Sequence, residues 1–405
     1  MDPDSRVVMH DLTFRHEDGE VLVGRPETGV FVAIPEIGAE ILTMLGNGMP
    51  IGMVGDQLKL AHGADVDLDE FLDELLAVGF VKAVDGHDTA DDGVQQPAGR
   101  EWNWLAPAAA VIFSWPANAL WLAIVAAAPV ILIIRPSVLP RPGELYWTSS
   151  SSVVVMSTTA FAVVAVLSHE AAHLAAARSY GITARLSLST RLGDLVMQTR
   201  ATGLWNVPRR QRYRFYLAGM KWDLFLLGAV ILARASLAPA ASVSRFLGAA
   251  SALLVLQLAW QAGLYTRTDL YLVVMDMMRC RNLFGDTVAY LRFRAGTAVR
   301  LIRGRPRTAR TNPLDAIPRR EHAWIKVYAF LMVPGSIAAV GLAVLFGVPF
   351  IVHLIRSTGH EIISGSVHRR WAMAADGAIT IIFEGSFMAL FIVTFIREKT
   401  RPRDR

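Results

Sequence analysis

Two histidines four residues apart, with a glutamate beside the first, are the residues of this chain best placed to do chemistry. His169-Glu170-Ala171-Ala172-His173 is an HExxH pattern, in a stretch free of Pro and Gly from Phe161 to Tyr180. On a helix, residues i and i+4 share a face about one turn apart. Two imidazoles so placed can grip one Zn²⁺, and Glu170 can stand beside a water as general base. The flanks add to the motif: Phe161 to Leu167 reads FAVVAVL, and Leu174 to Ala177 reads LAAA. Polar and ionisable groups are costly in such surroundings, which favours a functional site facing a protein interior. The competing reading is a solvated or core-satisfied His/Glu cluster near a helix end.

A catalytic zinc site takes a third protein ligand as a rule. Cys280 is the only cysteine, which excludes an intrachain disulfide and a Cys-rich zinc site. The eight remaining histidines fall in the polar N-terminal part, in a basic segment or toward the other end of the apolar stretches. Carboxylates near the same ends of those stretches remain, and Asp223 and Asp269 are the two candidates.

These residues must be positioned by apolar helices. The chain of 405 residues is 53% hydrophobic, with a mean hydropathy of +0.38. That is too apolar for an ordinary soluble protein and points to several membrane spans joined to a soluble part. A spanning helix needs about 20 mainly apolar residues. Six stretches qualify: 115–134, 153–177, 215–235, 246–264, 327–355 and 373–396. The fold class expected is therefore a mainly α membrane protein with about six transmembrane helices. Arginines crowd the segments after the second and fourth stretches and the C-terminal tail. The positive-inside rule then places both termini in the cytoplasm and the HExxH toward the cytoplasmic end of its span.

Residues 1–100 differ sharply, with twenty acidic and six basic side chains. Such charge argues against nucleic acid as a partner. The acidic, polar start (MDPDSRVVMH) leads to the expectation of no secretory signal peptide. Glu20–Gly24 and Gly29–Ile34 read as strands. Pro35 to Leu45, Ile51 to His62 and a run after Asp67 read as helices, and Phe80–Val84 as a closing strand. This predicts a small α+β, winged-helix-like domain over 1–86, a polar linker over 87–101 and a membrane domain over 102–405. Arg185–Thr190 and Asp194–Thr199 alternate apolar and polar residues about Gly193, the pattern of a hairpin. Asp376 and Glu384 lie on one face of the last stretch, suited to a water-filled cavity or to pairing with Lys221 or an arginine.

Two resemblances follow from these motifs. Leu12 to Val84, with "GVFVAIPEIGAEIL" and "VDLDEFLDELLAVGFV", resembles the PqqD-type domain. That resemblance implies docking of a leader peptide by strand addition. Phe161 to Leu283 is similar to the site-2-protease family of intramembrane zinc metallopeptidases. HExxH is followed by Leu217-Ala218-Gly219-Met220-Lys221-Trp222-Asp223, like the family's AGPxxN element, and by Thr268-Asp269-Leu270-Tyr271, like its TDGY segment. Met220, Asp223 and Leu270 depart from the family's Pro, Asn and Gly. The resemblance implies His169, His173 and Asp269 as zinc ligands, Glu170 as the catalytic residue, and Gly219 and Asp223 as substrate-positioning residues. Together the two parts look like the peptide zinc metalloprotease branch.

The function expected is a membrane-embedded zinc endopeptidase that cleaves a peptide or membrane protein near the cytoplasmic face. The alternative is a non-proteolytic membrane protein that binds a leader peptide for a maturation or export system. A metal-dependent membrane oxidase is disfavoured, because such sites use more histidine boxes than the one found here.

Overall fold

The computed structural model describes the chain except residues 1, 18, 27, 29, 64–66, 90–104, 183, 192–193, 202–203, 262, 264–267, 281, 304–310, 343–347 and 401–405. It divides into two compact units. The first comprises Met1–Ala106, Ala177–Arg185 and Arg200–Arg212; the second comprises Pro107–Ala176, Leu186–Thr199 and Tyr213–Arg405.

The N-terminal part of the first unit runs β1 (Val7–Met9), β2 (Thr13–Glu17), β3 (Glu20–Arg25), β4 (Val30–Ile34), α1 (Glu36–Gly46), α2 (Ile51–His62), α3 (Leu68–Ala77), β5 (Val81–Val84) and β6 (His87–Asp88). β2, β3 and β4 form one antiparallel sheet, in which Val23 lies opposite Phe14 and Val32. Successive strand side chains point to opposite faces, so Val21 and Val23 of the central strand both enter the core. Ile41, Leu42 and Leu45 of α1, Leu58 of α2 and Leu72 of α3 close over them. α3 starts where Asp67 accepts a hydrogen bond from the Glu70 amide at 3.0 Å, satisfying an amide that the helix itself leaves open. The three helices and the strands β3, β4 and β5 lie where the residue pattern puts them. β1, β2 and β6 were not expected; β1 and β6 are three- and two-residue strands completed only by pairing with β5. Of the expected linker, residues 90–101 lie outside the described residues. Arg212, itself buried, donates from Nη2 to Glu17 at 2.6 Å and to the Trp205 carbonyl at 3.1 Å, tying β2 to the segment before the next helix.

The rest of the chain runs α4 (Leu105–Ile112), α5 (Trp115–Ile134), α6 (Ser151–Arg178), β7 (Ala184–Arg191), β8 (Asp194–Ala201), α7 (Arg209–Tyr216), α8 (Ala218–Ala235), α9 (Ser242–Gln261), α10 (Asp269–Met277), α11 (Leu283–Ile302), α12 (Arg319–Leu342), α13 (Val348–Val367) and α14 (Trp371–Thr400). β7 and β8 form the expected two-stranded hairpin, with residues 192–193 of its turn outside the described residues. α8 packs between α5 and α9. Ala165 of α6, Val230 of α8, and Ala250 and Leu254 of α9 form one buried cluster, the small residues letting the helix backbones come close. Arg234, at the end of α8, grips Glu144 with two hydrogen bonds of 2.5 and 3.0 Å.

Among the described residues, four helices are long and apolar enough to cross a membrane: Trp115–Ile134, Ser151–Arg178, Ser242–Gln261 and Trp371–Arg397. α7 and α8, bent by 41° at their junction, make a fifth if taken as one broken span. Large apolar side chains such as Leu122, Ile133, Phe330 and Ile382 stand exposed on the helices, as lipid-facing positions do. The stretch 327–355 covers parts of α12 and α13, with residues 343–347 outside the described residues.

Candidate metal centre

α6 is the element that brings the two histidines together. It runs unbroken for 28 residues, so the four-residue spacing becomes one turn and both rings emerge on the same face. Both rings are nearly sealed, with His169 4% and His173 3% exposed. Their Nε2 atoms are 3.2 Å apart. Asp269 arrives from the first turn of α10, a hundred residues away in sequence, and sets Oδ2 at 3.0 Å from His169 Nε2 and 3.1 Å from His173 Nε2. The start of α10 is held by the last residue of α9: Thr268 Oγ1 donates to the Gln261 carbonyl at 2.7 Å, and the Asp269 amide donates to Gln261 Oε1 at 3.3 Å.

The far side of each ring has its own partner. His173 Nδ1 donates to the Phe215 carbonyl at 2.8 Å, and His169 Nδ1 lies 2.8 Å from Asp223 Oδ2. Both partners accept, so each Nδ1 donates, and each Nε2 faces inward, where a neutral ring offers its lone pair to a metal. Gln257 of α9 in turn donates to the Asp223 carboxylate at 3.0 and 3.1 Å. Asp223 is thereby fully enclosed. It stands behind His169, and Asp269 takes the third place around the inward-facing nitrogens.

Two imidazole nitrogens and one carboxylate oxygen thus converge within about one hydrogen-bond length of one another, a spacing that one shared cation fits. A tetrahedral ion with bonds of about 2.0–2.1 Å holds its ligand atoms roughly 3.3 Å apart, close to the separations found here. His169, His173 and Asp269 form the single group of three or more such side chains among the described residues that could hold a metal ion.

Gly219 explains how α8 comes so near. A Cβ built there would lie 2.3 Å from His169 Nε2 and 2.5 Å from His173 Nε2, so the backbone lies directly against the two rings. Glu170, 7% exposed, has its own partner: the Thr199 hydroxyl of β8 donates to Oε2 at 2.6 Å. Thr199, Gln257 and the Phe215 carbonyl carry no sequence signal, since each acts through one hydrogen bond made only in the folded chain. Asp376 and Lys221 do not pair. Asp376 meets serines at the start of α6, while Lys221 bonds Asn118 and lies near the rings of Phe113 and Trp121.

No known protein family, no curated protein and no solved structure matches this chain.

Proposed function

We propose that the chain is a membrane-embedded zinc metalloprotease of the HExxH type, similar to the site-2 proteases, cleaving a peptide or membrane protein near the cytoplasmic face. One observation carries this reading: a His-His-Asp triad of metal-ligand geometry with a buried glutamate next to its first histidine. A scaffold that only binds a leader peptide has no use for that arrangement.

The chemistry that Zn²⁺ supplies when bound is polarisation of the scissile carbonyl and acidification of water. His169, His173 and Asp269 hold it. Asp223 and the Phe215 carbonyl fix the tautomer and tilt of the two rings. Glu170 accepts a proton from the attacking water and delivers it to the leaving amine. Thr199 occupies Oε2 and leaves the other carboxylate oxygen for that transfer. The closeness of Gly219 to the rings shapes the wall of the site, which is the manner in which that residue bears on substrate. The N-terminal PqqD-like domain docks the substrate or its leader peptide by adding a strand to one of its sheets.

Six spans with both termini cytoplasmic accommodate these parts. Hydrogen bonds between the serines that open α6 and Asp376 near the start of α14 support placing the beginnings of these two helices at one membrane face. The test is a pair of measurements on protein purified in detergent. The wild type is expected to carry about one Zn²⁺ per chain and to cleave peptide, and Glu170→Gln to keep the metal and lose turnover. Retained turnover in Glu170→Gln overturns the general-base role.

A further inference from the structure

Ser151 stands eighteen residues before His169 on α6, so about 27 Å of helix separates the metal centre from a second polar cluster. There the start of α6 meets Asp376 of α14 and Glu361 of α13. α13 and α14 form a tight hairpin: a Cβ on Gly377 would lie 2.7 Å from Ile362 Cγ1 and 2.9 Å from the Thr358 carbonyl. This closeness delivers both carboxylates to the same helix end.

The two acids are treated differently. Asp376 accepts from the Ser150 hydroxyl at 2.7 Å, from the Ser151 and Ser152 amides at 3.0 and 3.3 Å, and from the Ser152 hydroxyl. Those donors, with the positive end of the α6 dipole, compensate its charge. Glu361 is 6% exposed. Its Oε1 accepts from the Ser151 hydroxyl at 2.7 Å and more weakly from the Ser151 amide at 3.4 Å. Its Oε2 is buried and receives no hydrogen bond among the described residues. Neither acid has an ion-pair partner among the described residues. Ser151 Oγ, the donor to Glu361, also lies 3.2 Å from Ser357 Oγ, which donates to the Leu354 carbonyl, and the buried Thr358 hydroxyl, three residues before Glu361 on α13, makes no hydrogen bond among the described residues.

A buried carboxylate with one unmet oxygen is costly until a cation joins it. The surrounding donors are all oxygen, which selects a hard ion over a transition metal. Asp376 is already committed to α6, so a single negative charge is left to neutralise. Ca²⁺ takes six to eight oxygens, with several carboxylates among them as a rule, and is less well served. We propose that Glu361, with the hydroxyls of Ser151, Ser357 and Thr358, forms a Na⁺ site that ties the α13–α14 hairpin to the start of α6.

The test uses the full chain in detergent, in choline chloride at pH 7, with radioactive ²²Na⁺ read by scintillation proximity. Saturable Na⁺ binding is expected, lost in Glu361→Gln and weakened in Ser357→Ala. Na⁺ should also raise the thermal unfolding midpoint of the wild type relative to choline, because a ligand of the folded state stabilises it. Ser357→Ala removes one neutral oxygen and keeps the issue decidable if Glu361→Gln does not fold. The proposal is overturned by absence of saturable Na⁺ binding to folded wild type, which would leave Glu361 holding a proton. Displacement of Na⁺ by far lower Ca²⁺ concentrations, or full binding by folded Glu361→Gln or Ser357→Ala, overturns it equally.

Discussion

At the scale of the residue, two aspartates face the same histidine from opposite sides. Asp269 meets Nε2, and Asp223 meets Nδ1. On the proposed reading, removing the first takes away a metal ligand; altering the second alters only the orientation and basicity of one. We expect Asp223→Asn to weaken zinc affinity by about 10–100-fold, the usual cost of losing an outer partner, and Asp269→Ala to weaken it further. Competition with a chelator measures both, and the reverse order would exchange their roles. Gly219 gives a sterner test. A single methyl there would collide with both imidazoles, and neither ring can retreat without breaking its Nδ1 hydrogen bond. Gly219→Ala should therefore lose zinc while its helical circular dichroism stays that of the wild type. Full zinc occupancy in that variant would mean that α8 stands farther from the rings.

At the scale of the element, α10, α11 and α12 enclose the one cysteine. Cys280 follows α10 and is buried, and burial, together with the carboxylates of Glu321 on α12 and Asp286 on α11, pushes its thiol up to about 12. The thiolate is the reactive form, so a folded protein should resist maleimide at pH 8 and label fully once denatured. Rapid labelling of the native protein would show that these helices open readily. The same region steadies the candidate metal centre, because the Tyr271 hydroxyl of α10 accepts from the Phe284 amide of α11 and its ring lies against Tyr328 of α12. Asp269 sits at the head of α10, so loosening this packing is felt at the proposed third ligand.

At the scale of the whole molecule, the proposed orientation rests on charge. The basic segments and tail favour the cytoplasm. A reporter active only outside the cytoplasm, fused after Arg405, is expected to stay silent, and one active in the cytoplasm to report. Activity of the first would mean that α12 and α13 cross separately or that one crossing is missing. An odd number of spans is the arithmetic consequence in either case.

How much of this was legible beforehand follows physical lines. The pairing of His169 with His173 was readable because the helix repeat converts a spacing of four directly into a shared face, without help from the rest of the fold. The long apolar helices were readable for a similar reason, since a 20-residue apolar run has few other ways to satisfy its backbone. Composition likewise set apart the acidic N-terminal domain. Asp269 and Asp223 were both visible as carboxylates near helix ends, but spacing left them equal, and only a family resemblance ranked them. Their division of labour depends on which ring nitrogen each reaches, a matter of a few ångströms set by how α8 and α10 pack on α6. The Thr199 hydrogen bond to Glu170 and the serine cradle of Asp376 and Glu361 were beyond the sequence for the same reason. Each joins residues distant in the chain through contacts that leave no period, and hydrogen bonds of that kind exist only once tertiary packing has fixed both partners.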